Sequence, residues 1–487
     1  MKILLAQSYF RILDQKELDK NMPYPPLGAL YAATILKNLG YEIIFFDSML
    51  SNSISELEIK IRSAKPDILV LYDDEFNYLT KMCLSNMRNA AVGFIKTAKE
   101  LRIPSIVYSS DAADFPEGYL NAGCNSIIYG EGEITLKELL NSFKTNHFDK
   151  VKYQINGIRF IEEGKIFSTD RRRLMEDINS LPIPDYSFIN IDKYKNIWLK
   201  KQNYFSMNIS TTRGCPYKCN WCAKPLYGQT YNSISPEKAV QQIKLLKEKY
   251  EVDHLWITDD IFGLKPNWIK NFSDELKKFN LKVPFKCLSR PDLLLRGNTI
   301  QDLKESGCRT IWIGAESGSQ KILNAMEKGT TVKQIYEAAE KTHKAGIEIA
   351  FFIQFGYLNE NWYDIKLTRK MIKDCTPDDI GISVSYPLPG TEFYEKVKSE
   401  LRDKENWTDS DDLDLMFIGT FPKSFYKVLH RFIHSEYRLY KIMGRMEWKK
   451  LPTFLINVVR YFCLKLKIGS YIKKNKTSLS ITFSRLG

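Results

Sequence analysis

Residues 213–222 read RGCPYKCNWC, and the three cysteines in this stretch, Cys215, Cys219 and Cys222, stand at i, i+4 and i+7. An iron-sulfur cube has four corner irons, so three thiolates on one short loop leave one iron without a protein ligand and open to a small molecule. A structural zinc site is instead a closed set of four ligands. No fourth cysteine or histidine stands close by, the next histidine being His254, so zinc is the weaker reading.

Working outward, the chain continues with HLWITDDIFG (254–263), KCLSRPDLL (286–294), IWIGAESGS (311–319), FFIQFGY (351–357) and SVSYPLPGT (383–391). With the cysteine spacing and Trp221, this order of motifs resembles the radical S-adenosylmethionine superfamily. The resemblance implies a 4Fe-4S cluster on Cys215, Cys219 and Cys222. Its open iron would bind the amino and carboxylate groups of S-adenosylmethionine, which one electron cleaves to a 5'-deoxyadenosyl radical. It also implies that Asp259 and Asp260 meet the S-adenosylmethionine ammonium, an acid facing a cation, and that Arg290 meets the methionyl carboxylate. Gly314, Glu316 and Ser317 would contact ribose and methionine, with Gln354 a further contact. Read without the resemblance, the two aspartates also suit a helix cap before Pro266, and Arg290 a surface ion pair.

A length of 487 residues allows two or three domains. The nine cysteines are odd in number and form no disulfide-like framework. Thiolate ligands need a reducing compartment, which places the chain in the cytoplasm. The start, MKILLAQSYF, has too short an apolar stretch for a signal peptide, and no apolar run is long enough to span a bilayer. Outside the triad the remaining six cysteines lack paired spacing, so each reads as a small buried apolar side chain.

Residues 1–145 alternate short apolar runs with helical patterns, the pattern of a doubly wound α/β domain with strands at KILLAQ, YEIIFFD, DILVLY, SIVYSS and SIIYG. Ligands of such sheets bind at the carboxyl ends of the strands. PYPPLGALYAATILKNLGYEIIFFDS and YGEGEITLKELL, ahead of a cluster motif, resemble the N-terminal cobalamin-binding domain of one large class of these enzymes. The corrin contacts so implied are Gly130, Glu131 and Gly132, with Ser109 and Ser110 in SSDAADFP, where many relatives carry a glycine pair and a histidine. No histidine precedes His147. A corrin held here would lack an axial histidine from its own domain, which favours low-coordinate cobalt(I) as a methyl acceptor.

Residues 146–200 read as a connector with a hairpin around Glu162 to Gly164, 201–400 as a partial (β/α)6 barrel with its site at the strand ends, and 401–487 as a helical basic extension. From Lys423 onward there are 15 Lys and Arg against Glu436 and Glu447, which accounts for the whole net charge of +13. Aromatics interleave with these cations (Phe421, Phe425, Tyr426, Phe432, Tyr437, Tyr440, Trp448, Phe454, Tyr461, Phe462). The tail therefore reads as an in-plane contact with the inner face of the cytoplasmic membrane. A helical cap packed on the barrel and an RNA-binding segment are the other readings.

The function these resemblances imply is cobalamin-dependent radical methyl transfer to an unactivated carbon of a small, hydrophobic or lipid substrate, by way of methylcobalamin and the 5'-deoxyadenosyl radical. The electron donor would be external, of the flavodoxin or ferredoxin kind. The alternative is oxidative ring formation, as in the anaerobic magnesium-protoporphyrin monomethyl ester cyclases. An RNA-modifying enzyme of the methylthiotransferase type would need three further N-terminal cysteines. Only Cys83 and Cys124 precede the triad, so no nucleic-acid partner is expected.

Overall fold

Ile3, Leu4, Leu5 and Ala6 are all fully buried, as a parallel strand covered on both faces must be. They lie in strand β1 (Lys2–Ala6), which with β2 (Glu42–Phe45), β3 (Ile68–Tyr72), β4 (Ser105–Tyr108) and β5 (Ser126–Ile128) forms a parallel sheet. Side chains alternate between faces along a strand. Ile3, Leu5 and Val70 accordingly share one core with Ala29 and Leu36 of helix Leu27–Asn38 and Leu136 and Leu140 of helix Gly132–Lys144. Leu4, Leu69 and Leu71 share the opposite core with Leu57, Phe94 and Leu120. The hairpin of β6 (Ile158–Glu162) and β7 (Lys165–Ser168), read from sequence as part of a connector, extends this sheet antiparallel beside β5, giving seven strands in the order β2-β1-β3-β4-β5-β6-β7.

This computed structural model describes the chain apart from residues 74–75, 77–83, 223–226, 402–405, 409–411, 446–450 and 487, and side chains also apart from 444–445, 451–453 and 475–486. Cys83, Trp448 and part of the loop after β3 lie outside the described residues. Two compact units result, one of residues 1–216, 223–285 and 406–412, the other of 217–222, 286–405 and 413–487.

The second sheet comprises β8 (Ser206–Ile209), β11 (His254–Ile257), β12 (Phe285–Ser289), β13 (Cys308–Glu316), β14 (Glu348–Phe355) and β15 (Asp379–Val384), in the order β15-β14-β13-β12-β11-β8. This is the curled parallel sheet of a partial barrel. The two-residue strands β9 (Thr212–Arg213) and β10 (Asn232–Ser233) pair antiparallel beside it. In the first unit β8 pairs in parallel with β11, and in the second β14 lies in parallel between β13 and β15.

The tail forms helices Lys423–Arg445 and Leu451–Leu486 in the second unit. Phe425, Leu429, Phe432 and Ile433 recur at helical spacing and are buried. Arg369 donates to both oxygens of Glu436 at 2.9 and 2.7 Å, and the Tyr437 hydroxyl donates to the carbonyl of Asp378 at 2.6 Å. Phe421, Phe425, Tyr426, Phe432 and Tyr437, read from sequence as facing lipid, are therefore buried within this unit. Interleaving along the chain did not reveal which of them the helix turns inward.

Near the same packing lies Glu360, fully buried. It accepts from the Gly356 N–H on Oε2 at 2.7 Å, while Oε1 has no partner. Burial pushes this carboxyl from 4.5 up to about 8, and the nearby Asp364 charge adds to the effect. A proton is thus held more tightly folded than unfolded, so the stability it contributes is complete below about 4.5 and is lost as pH rises through about 8. Glu360→Gln, which keeps the Gly356 hydrogen bond, is expected to melt progressively higher than wild type as pH goes from 5 to 9. Parallel melting curves across that range would refute the assignment.

Candidate functional site

In the first unit the GEGE stretch (Gly130–Glu133) and the residue two before Cys215 meet. Arg213, 5% exposed, donates through Nη1 to Glu131 and Glu133, and through Nη2 to Glu133. Burial by itself would lower the guanidinium pKa, but the adjoining carboxylates, Glu133 foremost, hold it well above its ordinary value. The Glu131 carboxylate also accepts from the Met175 N–H, and the Tyr227 ring lies 5.1 Å from the guanidinium. The two acids thus grip the entry to the cysteine loop.

Gly130 has φ +83°, in the left-handed region that glycine tolerates. A Cβ on Gly132 would stand 2.6 Å from the Tyr72 hydroxyl and 2.9 Å from the Tyr108 ring, so glycine here admits two packed tyrosines. Ser109 caps the short helix Ser110–Asp114 by accepting from the Ala112 N–H at 3.0 Å. Both serines are buried. Asp111, which follows them, receives Arg88 and the Tyr119 hydroxyl at 2.6 Å.

The strand order places the sheet's switch point between β1 and β3. There the Ser8 N–H and hydroxyl donate to Asp73 at 2.7 and 2.8 Å. Beside them the buried amide nitrogen of Gln7 finds no protein partner, a polar group unsatisfied where a bulky polar ligand of such a sheet would lie.

Asp259, just past β11, accepts the N–H groups of Thr211 at 2.6 Å and Thr212 at 3.0 Å, together with the hydroxyls of Ser210 and Thr211. Burial raises its carboxyl to about 6 against these hydrogen bonds. Its observed work is to shape the turn ahead of Cys215, while Asp260 beside it is exposed.

In the second unit Asn220 fixes the cysteine loop. Its N–H donates to the Met326 carbonyl at 3.2 Å, its amide nitrogen to the Ala325 carbonyl at 2.8 Å, and its amide oxygen accepts from Tyr357 at 2.8 Å. Cys215 is buried, Cys219 and Cys222 are partly exposed, and none of the three forms a disulfide. No three His, Cys, Asp or Glu side chains among the described residues are already drawn together around a metal ion. The loop's surroundings nevertheless suit thiolates. Arg290 Nη1 lies 3.9 Å from Cys219 Sγ, with the guanidinium stacked 3.6 Å from the Tyr217 ring centre. Arg290 is held by Asp292 at 2.9 Å and by the Lys328 carbonyl at 2.8 Å.

Lys328 is buried, donates to Glu316 at 2.8 Å and lies 5.8 Å from the Trp221 ring. Burial lowers the ammonium pKa, but the charges of Glu316 and Cys219 outweigh it and leave the pKa raised. Glu316 itself has φ +56°, at the point where the β13–β14 register shifts. A Cβ on Gly314 would come within 2.5 Å of both the Glu316 carboxylate and the Lys328 ammonium, so the glycine makes room for this pair. Ser317 shares a hydrogen bond with Thr368 at 3.1 Å. Gln354 is buried with its Oε1 unpartnered, as is the Trp221 Nε1.

Sequence reasoning did not single out Arg213, Lys328, Tyr217 or Asn220. Arg213, Tyr217 and Asn220 lie inside the quoted cysteine stretch, but Lys328, in NAMEKGTT, has no local signature.

Residues 209–372 match the model of the Radical SAM superfamily. An uncharacterized methyltransferase of Pyrococcus horikoshii is 25% identical over 397 residues, covering 80% of this chain and 82% of the relative. The anaerobic magnesium-protoporphyrin IX monomethyl ester cyclase of Rubrivivax gelatinosus is 26% identical over 396 residues, covering 79% and 68%. Among solved structures, the cobalamin-dependent S-adenosylmethionine radical enzyme OxsB with aqua-cobalamin bound has a TM-score of 0.71 at 18% identity, over all of this chain and 75% of that one. That likeness establishes a shared fold.

Arg213→Met would leave Glu131 and Glu133 buried without a counter-charge and is expected to cost about 3–5 kcal/mol in the first unit. Adding Glu133→Gln should recover part of that loss. Urea unfolding of the single and double variants measures it, and additive effects would refute the coupling.

Proposed function

We propose that this chain, whose residues 209–372 form a radical S-adenosylmethionine domain, is a cobalamin-dependent methyltransferase acting on an unactivated carbon of a small hydrophobic molecule. The observation that carries the reading is the cysteine loop, whose three cysteines form no disulfide, with the Arg290 guanidinium 3.9 Å from Cys219 and the buried Lys328 ammonium feeling the Cys219 charge. The methyltransferase relative and the fold shared with a cobalamin-dependent enzyme support it. When bound, the cluster supplies an electron to S-adenosylmethionine and the corrin carries the methyl group.

Cys215, Cys219 and Cys222 would hold the cluster, the first from a turn braced by Asp259. Arg290 Nη1, 3.9 Å from Cys219 Sγ, places positive charge beside a sulfur that would ligate iron. Glu316 is oriented by Lys328 and so presents a fixed carboxylate for hydroxyl groups of S-adenosylmethionine. Ser317 and Gln354 line the same strand ends, and the free Gln354 Oε1 suits a donor on that ligand. Asp260 remains the candidate for the ammonium, since Asp259 already accepts from the 210–212 turn. For the corrin, the lining would come from Gln7, Ser109, Ser110, Gly130, Glu131 and Gly132 at the carboxyl edge of the first sheet. No histidine precedes His147, so residues 1–146 would offer the corrin no imidazole.

With this activity we place the chain in the cytoplasm, fed by an external one-electron donor of the flavodoxin or ferredoxin kind and in peripheral contact with the inner membrane leaflet. The cyclase relative favours a second reading, ring-forming oxidation. Methyl transfer consumes two S-adenosylmethionines per turnover and releases one S-adenosylhomocysteine, which oxidation does not.

After anaerobic reconstitution the chain is expected to carry about four irons and to bind cobalamin. Cys219→Ala should lose the iron absorbance and S-adenosylmethionine cleavage while retaining cobalamin. Cleavage persisting in that variant, or no cobalamin bound by wild type, would overturn the assignment.

A further inference from the structure

Over residues 454–474, the part whose side chains are described, helix Leu451–Leu486 is packed on one side only. Asn457, Leu464 and Ile468 are buried, the Asn457 carbonyl accepts from Ser435 at 3.2 Å, and the Tyr461 ring stacks on Phe432 at 5.3 Å, which seats this side on helix Lys423–Arg445. On the other side Leu455 (56%), Ile456 (67%), Val459 (64%), Phe462 (56%) and Leu466 (77%) are exposed. At ~100° per residue these five fall within an arc of roughly 120°. The same geometry sets exposed Arg460 and Lys467 along one border of the arc and exposed Lys465 along the other. The helix contains seven Lys and Arg and no acid.

A contiguous apolar strip on a solvent-facing helix marks an interaction surface, and its charged borders select the partner. A second copy of this helix would bring seven more cations against these seven. Nucleic acid would match the charge but would leave the aliphatic strip in water, since base stacking uses aromatic rings and Phe462 is the sole ring among the five. An anionic bilayer satisfies both features, taking the strip into the boundary between headgroups and acyl chains while phosphates meet Arg460, Lys465 and Lys467. No helix among the described residues is long and apolar enough to cross a membrane, so the helix would lie in the plane.

We propose that the Leu455–Leu466 face is a docking surface for an anionic lipid bilayer. This deepens the peripheral placement that accompanies the methyltransferase reading and rests on it for purpose, since a membrane-docked site suits a hydrophobic substrate. The binding itself requires no catalysis.

The full-length reconstituted protein should float with phosphatidylcholine vesicles containing phosphatidylglycerol, and at least about tenfold less with phosphatidylcholine alone or in high salt. Val459→Glu/Leu466→Glu changes two exposed positions and should lower flotation by about tenfold or more, with iron content and melting temperature unchanged. Lys465→Glu/Lys467→Glu should lose the preference for phosphatidylglycerol. Equal recovery of wild type and Val459→Glu/Leu466→Glu overturns the proposal, as does equal binding to neutral and anionic vesicles. A dimer formed without vesicles and abolished by Val459→Glu/Leu466→Glu assigns the face to a second copy instead. Cys219→Ala should still float, so loss of cleavage without loss of flotation separates failure of the enzymatic reading from failure of this one.

Discussion

The first unit depends on one buried ionic contact, the guanidinium of Arg213 between Glu131 and Glu133. Moving a charge out of water is costly unless a partner is fixed beside it. Arg213 can therefore be buried two residues ahead of Cys215 only if the turn before helix Gly132–Lys144 stands where both acids reach it. That turn in turn requires Gly132, because Tyr72 and Tyr108 occupy the space of any side chain there. The GEGE stretch thus serves the entry to the cysteine loop through its acids and the first sheet through its glycine.

A related economy governs the second unit. Lys328 neutralises Glu316 and adds positive potential at Cys219, while its backbone carbonyl holds Arg290, whose guanidinium also faces Cys219. One residue therefore sets both the orientation of a carboxylate and the charge around a thiol. The left-handed backbone of Glu316 and the absence of a side chain at Gly314 are what allow the carboxylate to turn toward Lys328. Backbone strain is tolerated where the surrounding contacts determine it, and here an ion pair and a register shift both do so.

The tail illustrates how charge and apolarity that look mixed along a chain separate in a helix. Phe425, Phe432 and Tyr437 turn inward, with Glu436 bound to Arg369, and the first helix becomes part of the second unit's core. The second helix presents Leu455, Val459, Phe462 and Leu466 outward between cations. One composition thus supplies both a packed cap and a surface.

The sequence alone determined the chemistry that needs only spacing and the elements that need only periodicity. Three thiols at i, i+4 and i+7 define an open-cornered ligand set wherever the loop lies, and the runs KILLA, ILVLY and SIVY form buried parallel strands through local alternation and apolar content. Tertiary structure alone decided which polar groups are partners. Lys328 lies far along the chain from Cys219, Glu133 from Arg213 and Asp259 from the 210–212 turn. Such pairings carry no local signature, because they are set by which strand ends the fold brings together and by the cost of leaving a charge buried alone. Asp259 reads from sequence as an acid facing an ammonium, and its hydrogen bonds to Ser210, Thr211 and Thr212 become visible only when β8 and β11 pair in register.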